Sequence, residues 1–324
     1  LPGEGWAFPT VRQRLKTTAI GVEAEDGECV ACDLCGADDP IPLLHGPDRQ
    51  MGAEGVYHLV QCRSCGLVYQ NPRPRPEAMS RFYPDDYSPF VTRRRRLVAR
   101  VDAWPRDRDE RQLRRLLGRA GRLLEVGCAG GDYLAAMQGR GWQVTGVEPA
   151  ERAAEAARQR GLAVHTGDLE SAAFPAESFD VIVLRHVLEH DPSPSATLAE
   201  IRRILVARGT LLLLLPNYDS LERRLCGPFW HGYDLPRHLY DLTPATLAAL
   251  LEKAGLRLLS LKHTVVPTSY VWSLRYWCQA RGYERLARFF RSDNLLAIGL
   301  FLPLGLLGAG LHRAGRIQAV AEKG

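Results

Sequence analysis

No apolar stretch near the start of this 324-residue chain has the length of a signal-peptide core. The opening LPGEGWAFPTVRQRLK mixes glycine, proline and charge, so export is not expected. Cysteine is scarce too: eight in a chain this size are too few for a disulfide scaffold, which excludes the small secreted class. A comfortable membrane span is missing as well. Leu295–Leu311 is 17 residues without a charge, but it holds Pro303 and four glycines, and at ~1.5 Å per residue it would reach only about 25 Å. Charge bias is weak overall, formally +5, yet residues 91–120 carry eleven arginines against four acids. Such a run fits a solvated helix face, a nucleic-acid contact or an anionic membrane surface. It lacks the interleaved aromatics that stack on bases.

What is present is organised around Arg122–Glu148, RLLEVGCAGGDYLAAMQGRGWQVTGVE. Leu123, Leu124 and Val126 form a short apolar run ending at Gly127, as a buried parallel strand does. Gly127, Gly130 and Gly131 free the backbone for a sharp turn and a close approach. Asp132 is the expected N-cap of a helix through Gln138, and Val144–Val147 is a second strand with Glu148 at its carboxyl end. In an open α/β sheet that end faces the ligand crevice, where Glu148 can accept from a ribose. A dinucleotide fingerprint needs glycine at positions one, three and six of the turn. Those positions hold Gly127, Ala129 and Asp132, so the fingerprint fails. Glu125, just before the turn, would repel a pyrophosphate and suits a cationic ligand. The stretch resembles motif I of the class I S-adenosylmethionine-dependent methyltransferases, with Glu125, Gly127 and Gly131 matching and Ala129 departing at the middle glycine. S-adenosylmethionine, carrying an ammonium and a sulfonium, is the cofactor that resemblance implies. Asp168, at the next strand end, is then placed for the adenine amine. Leu169 beside it and Arg185 at the end of the fourth strand complete the expected donor side.

Upstream stand Cys32-Asp-Leu-Cys35-Gly36 and Cys62-Arg-Ser-Cys65-Gly66, with 26 residues between Cys35 and Cys62. Two CxxCG knuckles are the sequence form of a zinc ribbon, each turn delivering two thiolates. With Cys32, Cys35, Cys62 and Cys65 filling all four positions, the zinc is expected to be structural. Cys29 extends the first pair to CxxCxxC and admits an iron–sulfur alternative.

The remaining segments read as an irregular arm at 1–28, the ribbon at 29–76 and an arginine-rich helical connector at 77–120. Within the connector, helices over 91–101 and 107–119 are expected to meet at Trp104-Pro105. A catalytic α/β domain covers 121–266 and 315–324, its strands alternating with helices to give a Rossmann-like, mostly parallel sheet. Thr243–Ala254 reads as a helix with Thr243 as N-cap and Pro244 at its first position. Residues 267–314 are a late insertion, a helical hairpin. In it, Tyr270, Trp272, Tyr276, Trp277, Phe289 and Phe290 alternate with arginines before the apolar 295–311 run. A hairpin lying on one leaflet fits that pattern; burial against the domain or in a homodimer interface is the alternative. A cytoplasmic location is expected, with peripheral contact at the inner membrane face if the hairpin meets lipid.

Methyl transfer from a sulfonium is an in-line displacement, for which an enzyme supplies proximity, alignment and, where needed, a base. Candidate bases follow two strands: His186, Glu189 and His190 after the fourth, and His231, Tyr233, His238 and Tyr240 in FWHGYDLPRHLY. A histidine titrating near ~6.5 suits deprotonation of a hydroxyl or an activated carbon. The ensemble CxxCG…CxxCGLVYQNPRP, FYPDDY, LEVGCAGG, VLEH and PRHLYDLT resembles the bacterial methyltransferases with an N-terminal zinc-binding domain, over about Cys32 to Leu261. Several of those act on nucleotide-linked sugars or other glycan and natural-product intermediates. That resemblance implies a small-molecule, sugar-nucleotide or lipid-linked acceptor. It also implies His238 as base, with Tyr83 or Tyr87 facing the acceptor. Arg237 stands where the family motif has glutamate, which bears on carbon methylation. An RNA methyltransferase is the competing reading, from the ribbon and the basic helices, but no Asn/Asp-Pro-Pro-aromatic motif follows the fourth strand.

Overall fold

The computed structural model describes residues 27–83 and 96–324. Most of the expected irregular arm, Tyr87 and the 91–95 part of the basic run lie outside the described residues. The ribbon contributes β1 (Gly27–Glu28), β2 (Pro40–Gly46), β3 (Tyr57–Cys62), β4 (Val68–Gln70) and β5 (Arg73–Pro74). The arm therefore ends in a strand, since β1 pairs antiparallel with β5. The α/β part of the chain contributes β6 (Arg122–Val126), β7 (Gln143–Glu148), β8 (Ala163–Thr166), β9 (Phe179–Arg185), β10 (Leu205–Pro216), β11 (Tyr240–Asp241), β12 (Leu256–Thr264) and β13 (Arg316–Lys323).

Seven of these form one sheet in the order β12-β13-β10-β9-β6-β7-β8. β6 to β10 pair parallel, whereas β13 runs antiparallel to both β10 and β12. Alternate residues of the central strands feed opposite faces. Leu124, Ile182, Leu184, Leu211 and Leu213 pack on one side with Leu198, Ile201 and Leu247. Leu123, Val181, Val183 and Leu212 pack on the other with Leu134, Met137 and Leu113. This two-sided burial is why these strands read as near-continuous apolar runs.

Two helix expectations are corrected. A single helix, Arg96–Leu117, runs through Trp104-Pro105. A proline inside a helix removes one N–H donor and bends the ladder, and here the helix continues past it. The cap of helix Asp132–Gln138 is Gly131, at φ +75°, while the Asp132 carboxylate instead accepts from Arg160 Nη1 at 2.6 Å. Helix Pro244–Lys253 starts as expected: Thr243 caps it in a reciprocal box with Thr246.

β11 belongs to a second sheet. It pairs with β4, completing a four-stranded antiparallel ribbon sheet of order β11-β4-β3-β2. Leu67 and Tyr69 of the ribbon share one core cluster with Leu184 and Leu188 of the α/β part. The ribbon is thus docked through a backbone ladder and a common core.

The 267–314 insertion comprises helices Pro267–Ala280, Glu284–Ala287 and Leu295–Gly310. Register fixes its position. Thr264 pairs with Arg316, which pairs with Pro216, so the insertion leaves the sheet at the carboxyl edge of the parallel strands. Ligand crevices of open α/β sheets lie at that edge.

Candidate active site

At the same edge β6 ends and the glycine turn begins. Gly127 has φ +68° and Gly131 φ +75°. A Cβ at Gly127 would stand 2.5 Å from Val187 Cγ2, and one at Gly131 2.3 Å from Leu162 Cδ1. Both positions therefore need glycine twice over, for conformation and for space. Ala129, at the departing middle position, also has positive φ, +44°. Glu148 braces the turn: its Oε2 accepts from Ala129 N at 2.8 Å and its Oε1 from Ala150 N at 3.0 Å. Burial pushes the Glu148 carboxyl up, against those two N–H donors. Glu125 is buried as well, 4% exposed. Two buried carboxylates at adjacent strand ends suit a cationic, hydroxyl-bearing ligand. Asp168 is exposed, its Oδ1 accepting from Ser171 N at 2.7 Å, with Leu169 buried behind it. Arg185 is turned aside, over the Tyr133 ring at 4.8 Å and 3.8 Å from Asp109.

Beyond β9 the chain reverses through His186, at φ +58°, into the short turn Leu188–His190. The His186 ring donates from Nδ1 to Glu189 Oε1 at 3.1 Å. Burial works against the buried Glu189 carboxylate, but the hydrogen bond and charge of His186 hold it down at about 2. His190 Nδ1 lies 3.0 Å from the Arg237 carbonyl and 2.9 Å from the Tyr83 hydroxyl. Burial and then the neighbouring His238 lower His190 to about 4. The His190 and His238 rings meet edge-on with centroids 4.6 Å apart. Ligand-capable atoms of Glu189, His190 and His238 all fall within 4.8 Å of one another.

His238 Nδ1 sits 2.6 Å from the Gly232 carbonyl. A carbonyl can only accept, so Nδ1 carries a proton, and in the neutral imidazole Nε2 then holds the lone pair. That Nε2 lies 3.9 Å from Asp234 Oδ2. Tyr233 and Tyr240, grouped with His238 on sequence, are held elsewhere. The Tyr240 hydroxyl accepts from Arg73 at 3.2 Å and donates to the Pro192 carbonyl at 3.3 Å. Tyr233 packs on Trp230, centroids 5.1 Å apart. A small cleft opens between the ribbon and this loop, lined by Arg49, Gln50, Trp230, His231, Asp234 and Tyr276. His231 reaches the insertion there, its Nδ1 3.2 Å from the Tyr276 hydroxyl.

The four ribbon cysteines converge, with Sγ atoms of Cys32 and Cys65 at 3.4 Å and of Cys35 and Cys62 at 3.5 Å. Both knuckles have the same turn: Gly36 N donates to Cys32 O, and Gly66 N to Cys62 O. Both glycines have φ +77°. Sulfur spacings just under ~4 Å match the edges of a tetrahedron with metal–sulfur bonds near ~2.3 Å. Cys29 is exposed and outside this set.

Sequence reasoning missed Asp48 and Asp234, which surround Arg237; Asp48 lies in no recognisable motif, and Asp234 lies within FWHGYDLPRHLY but was not singled out there. Nor did it anticipate β11, whose two residues are too few to show a period.

A family model described as a methyltransferase domain matches residues 93–261. A ubiquinone biosynthesis O-methyltransferase of Cereibacter sphaeroides is 34% identical over 166 residues, covering 47% of this chain and 67% of the relative. One from an Azoarcus species is 31% identical over 173 residues, covering 48% and 74%. Among solved structures, a SAM-dependent methyltransferase from Archaeoglobus fulgidus aligns at 19% identity and TM-score 0.44, over 67% of this chain and 94% of that one.

Proposed function

The chain belongs to the methyltransferase-domain family and is an S-adenosylmethionine-dependent methyltransferase; from that premise we propose a small-molecule, sugar-nucleotide or lipid-linked acceptor with His238 as general base. The donor supplies an electrophilic methyl on a sulfonium. Glu125, the Gly127–Gly131 turn, Glu148 and Asp168 hold and orient it. On the acceptor side His238 Nε2 takes the acceptor proton as the new bond to methyl forms, and the broken carbon–sulfur pair stays on sulfur. Asp234 faces the imidazolium, and Tyr83 and the Arg237 carbonyl hold the neighbouring His190 ring. The observation that carries this reading is the Nδ1 bond to Gly232, which leaves Nε2 as acceptor. Relatives named for ubiquinone biosynthesis support a small-molecule acceptor over RNA. His238→Ala should abolish radiolabelled methyl transfer into fractionated lysate while leaving donor affinity intact; unchanged transfer would remove His238 as base. For the four cysteines we propose a closed, structural zinc.

We also propose that the insertion rests on an anionic membrane surface. No helix among the described residues is long and apolar enough to cross a membrane. The Leu295–Gly310 helix buries only Ala297, Gly305 and Gly308, while Leu295 is 81% and Leu296 77% exposed. Exposed Arg281, Arg285, Arg288 and Arg291 border it, matching a leaflet with anionic headgroups. Flotation with phosphatidylglycerol vesicles should lose Leu295→Gln/Leu296→Gln/Leu300→Gln protein. Equal flotation of both proteins refutes the proposal, and a wild-type dimer that the triple variant disrupts assigns the face to a second copy.

A further inference from the structure

Arg237 replaces the glutamate of the resembled motif, and its side chain points away from the base into the ribbon. It is fully buried, 0% exposed. Nη1 and Nη2 fork onto Asp48 at 2.9 and 2.7 Å. Nε and Nη2 also reach Asp234 Oδ1 at 3.1 and 2.7 Å. Asp48 is itself pinned, accepting from the N–H groups of Gln50, Met51 and Ala53. The Arg237 carbonyl meanwhile receives His190 Nδ1, and Asp234 turns its other oxygen toward His238 Nε2. One guanidinium thus sits between two carboxylates, leaving the trio with a net charge of one negative unit beside the base.

We propose that Asp48, delivered by the ribbon from 189 residues away in sequence, is a positioning residue for the base. Through Arg237 it fixes the Asp234 and His190 contacts, and it supplies the carboxylate that keeps the network negative where the His238 imidazolium forms. This rests on the His238 reading. The other groups facing His238 are Glu189, His186 and His190 from the turn after β9 and His231, Asp234 and Arg237 on its own loop. Arg316 lies behind His186, and Tyr83 reaches the cluster through His190. Without Asp48 the Arg237 charge is spent on Asp234 alone, the trio becomes neutral, and imidazolium formation loses support. A buried bidentate pair also sets geometry that a lone hydrogen bond does not.

The test is an NMR titration of the histidine side chains in the full zinc-loaded chain, with His238 assigned by its loss in His238→Gln. Asp48→Asn should move the His238 midpoint down by about half a pH unit or more, with S-adenosylmethionine affinity unchanged. Arg237→Lys keeps the charge count but loses the fork. It should leave the midpoint in place and slow methyl transfer into the lysate fractions that accept label by tenfold or more. An unmoved midpoint in Asp48→Asn overturns the proposal. If that variant does not fold, undiminished transfer by Arg237→Lys overturns it instead. Failure of the base reading looks different: His238→Ala would stay active whatever the titrations show.

Discussion

Replacing Gly127 with alanine should damage the enzyme through a neighbour that belongs to the other half of the site. The backbone there has φ +68°, which costs an L-residue about 1–2 kcal/mol. The new Cβ would also stand 2.5 Å from Val187 Cγ2. Relieving such overpacking in a dense core costs about 1–3 kcal/mol, so the expected loss of stability is about 2–5 kcal/mol. Val187 precedes the Leu188–His190 turn, so the strain passes from the glycine turn into the segment that carries His190. Urea denaturation of Gly127→Ala, Val187→Ala and the double variant forms the assay, each with and without S-adenosylmethionine. Truncating Val187 removes the clash but not the backbone strain. The double variant should therefore be less destabilised than the two single effects combined, with a coupling of about 1–3 kcal/mol. Simple additivity would refute the reasoning, because it would mean that the turn and the Val187 segment are not in contact.

Three further outcomes can be checked. His190 is depressed from 6.5 to about 4 and Glu189 from 4.5 to about 2. In both cases the unfolded chain binds the extra proton first, so stability is full above the unfolded values. It should fall on acidification, for His190 from about pH 6.5 to 4 and for Glu189 from about pH 4.5 to 2. His190→Asn should flatten the first limb, as pH-dependent thermal melts would show. Zinc removal by a strong chelator should loosen the ribbon, open it to proteolysis and slow turnover, because the ribbon's Asp48 leaves Arg237, while donor binding persists. Ala129→Gly should be neutral or stabilising by up to about 1 kcal/mol, since relief of positive φ exceeds the added chain entropy; a clear loss in denaturant melts would contradict that strain.

The parts legible in the sequence were those carried by local pattern. The β6 to β10 strands announced themselves because both faces of the sheet are covered. Thr243 and Pro244 announced a helix start because capping involves four adjacent residues. The Cys pairs stood out because a knuckle is a local turn. Where local cues competed with distant partners, they misled. Asp132 looked like a cap but is drawn to Arg160, and Trp104-Pro105 looked like a break within a helix that continues. Tyr233 and Tyr240 lay close to His238 in sequence, yet their hydroxyls and rings are turned to other neighbours.

The sequence by itself determined the unit proposed to hold the donor, since a strand, a glycine turn, a helix and a second strand with its terminal acid span 27 consecutive residues, Arg122–Glu148. Only the tertiary structure decided what surrounds His238. Tyr83, Asp48, Glu189 and His238 come from segments far apart in the chain, brought together because β11 completes the ribbon sheet immediately after His238. Short-range pattern encodes a glycine turn whose conformation is set by its own backbone. A histidine with a fixed Nδ1 partner and a charged surround is a product of long-range packing, and no window of neighbouring residues contains it.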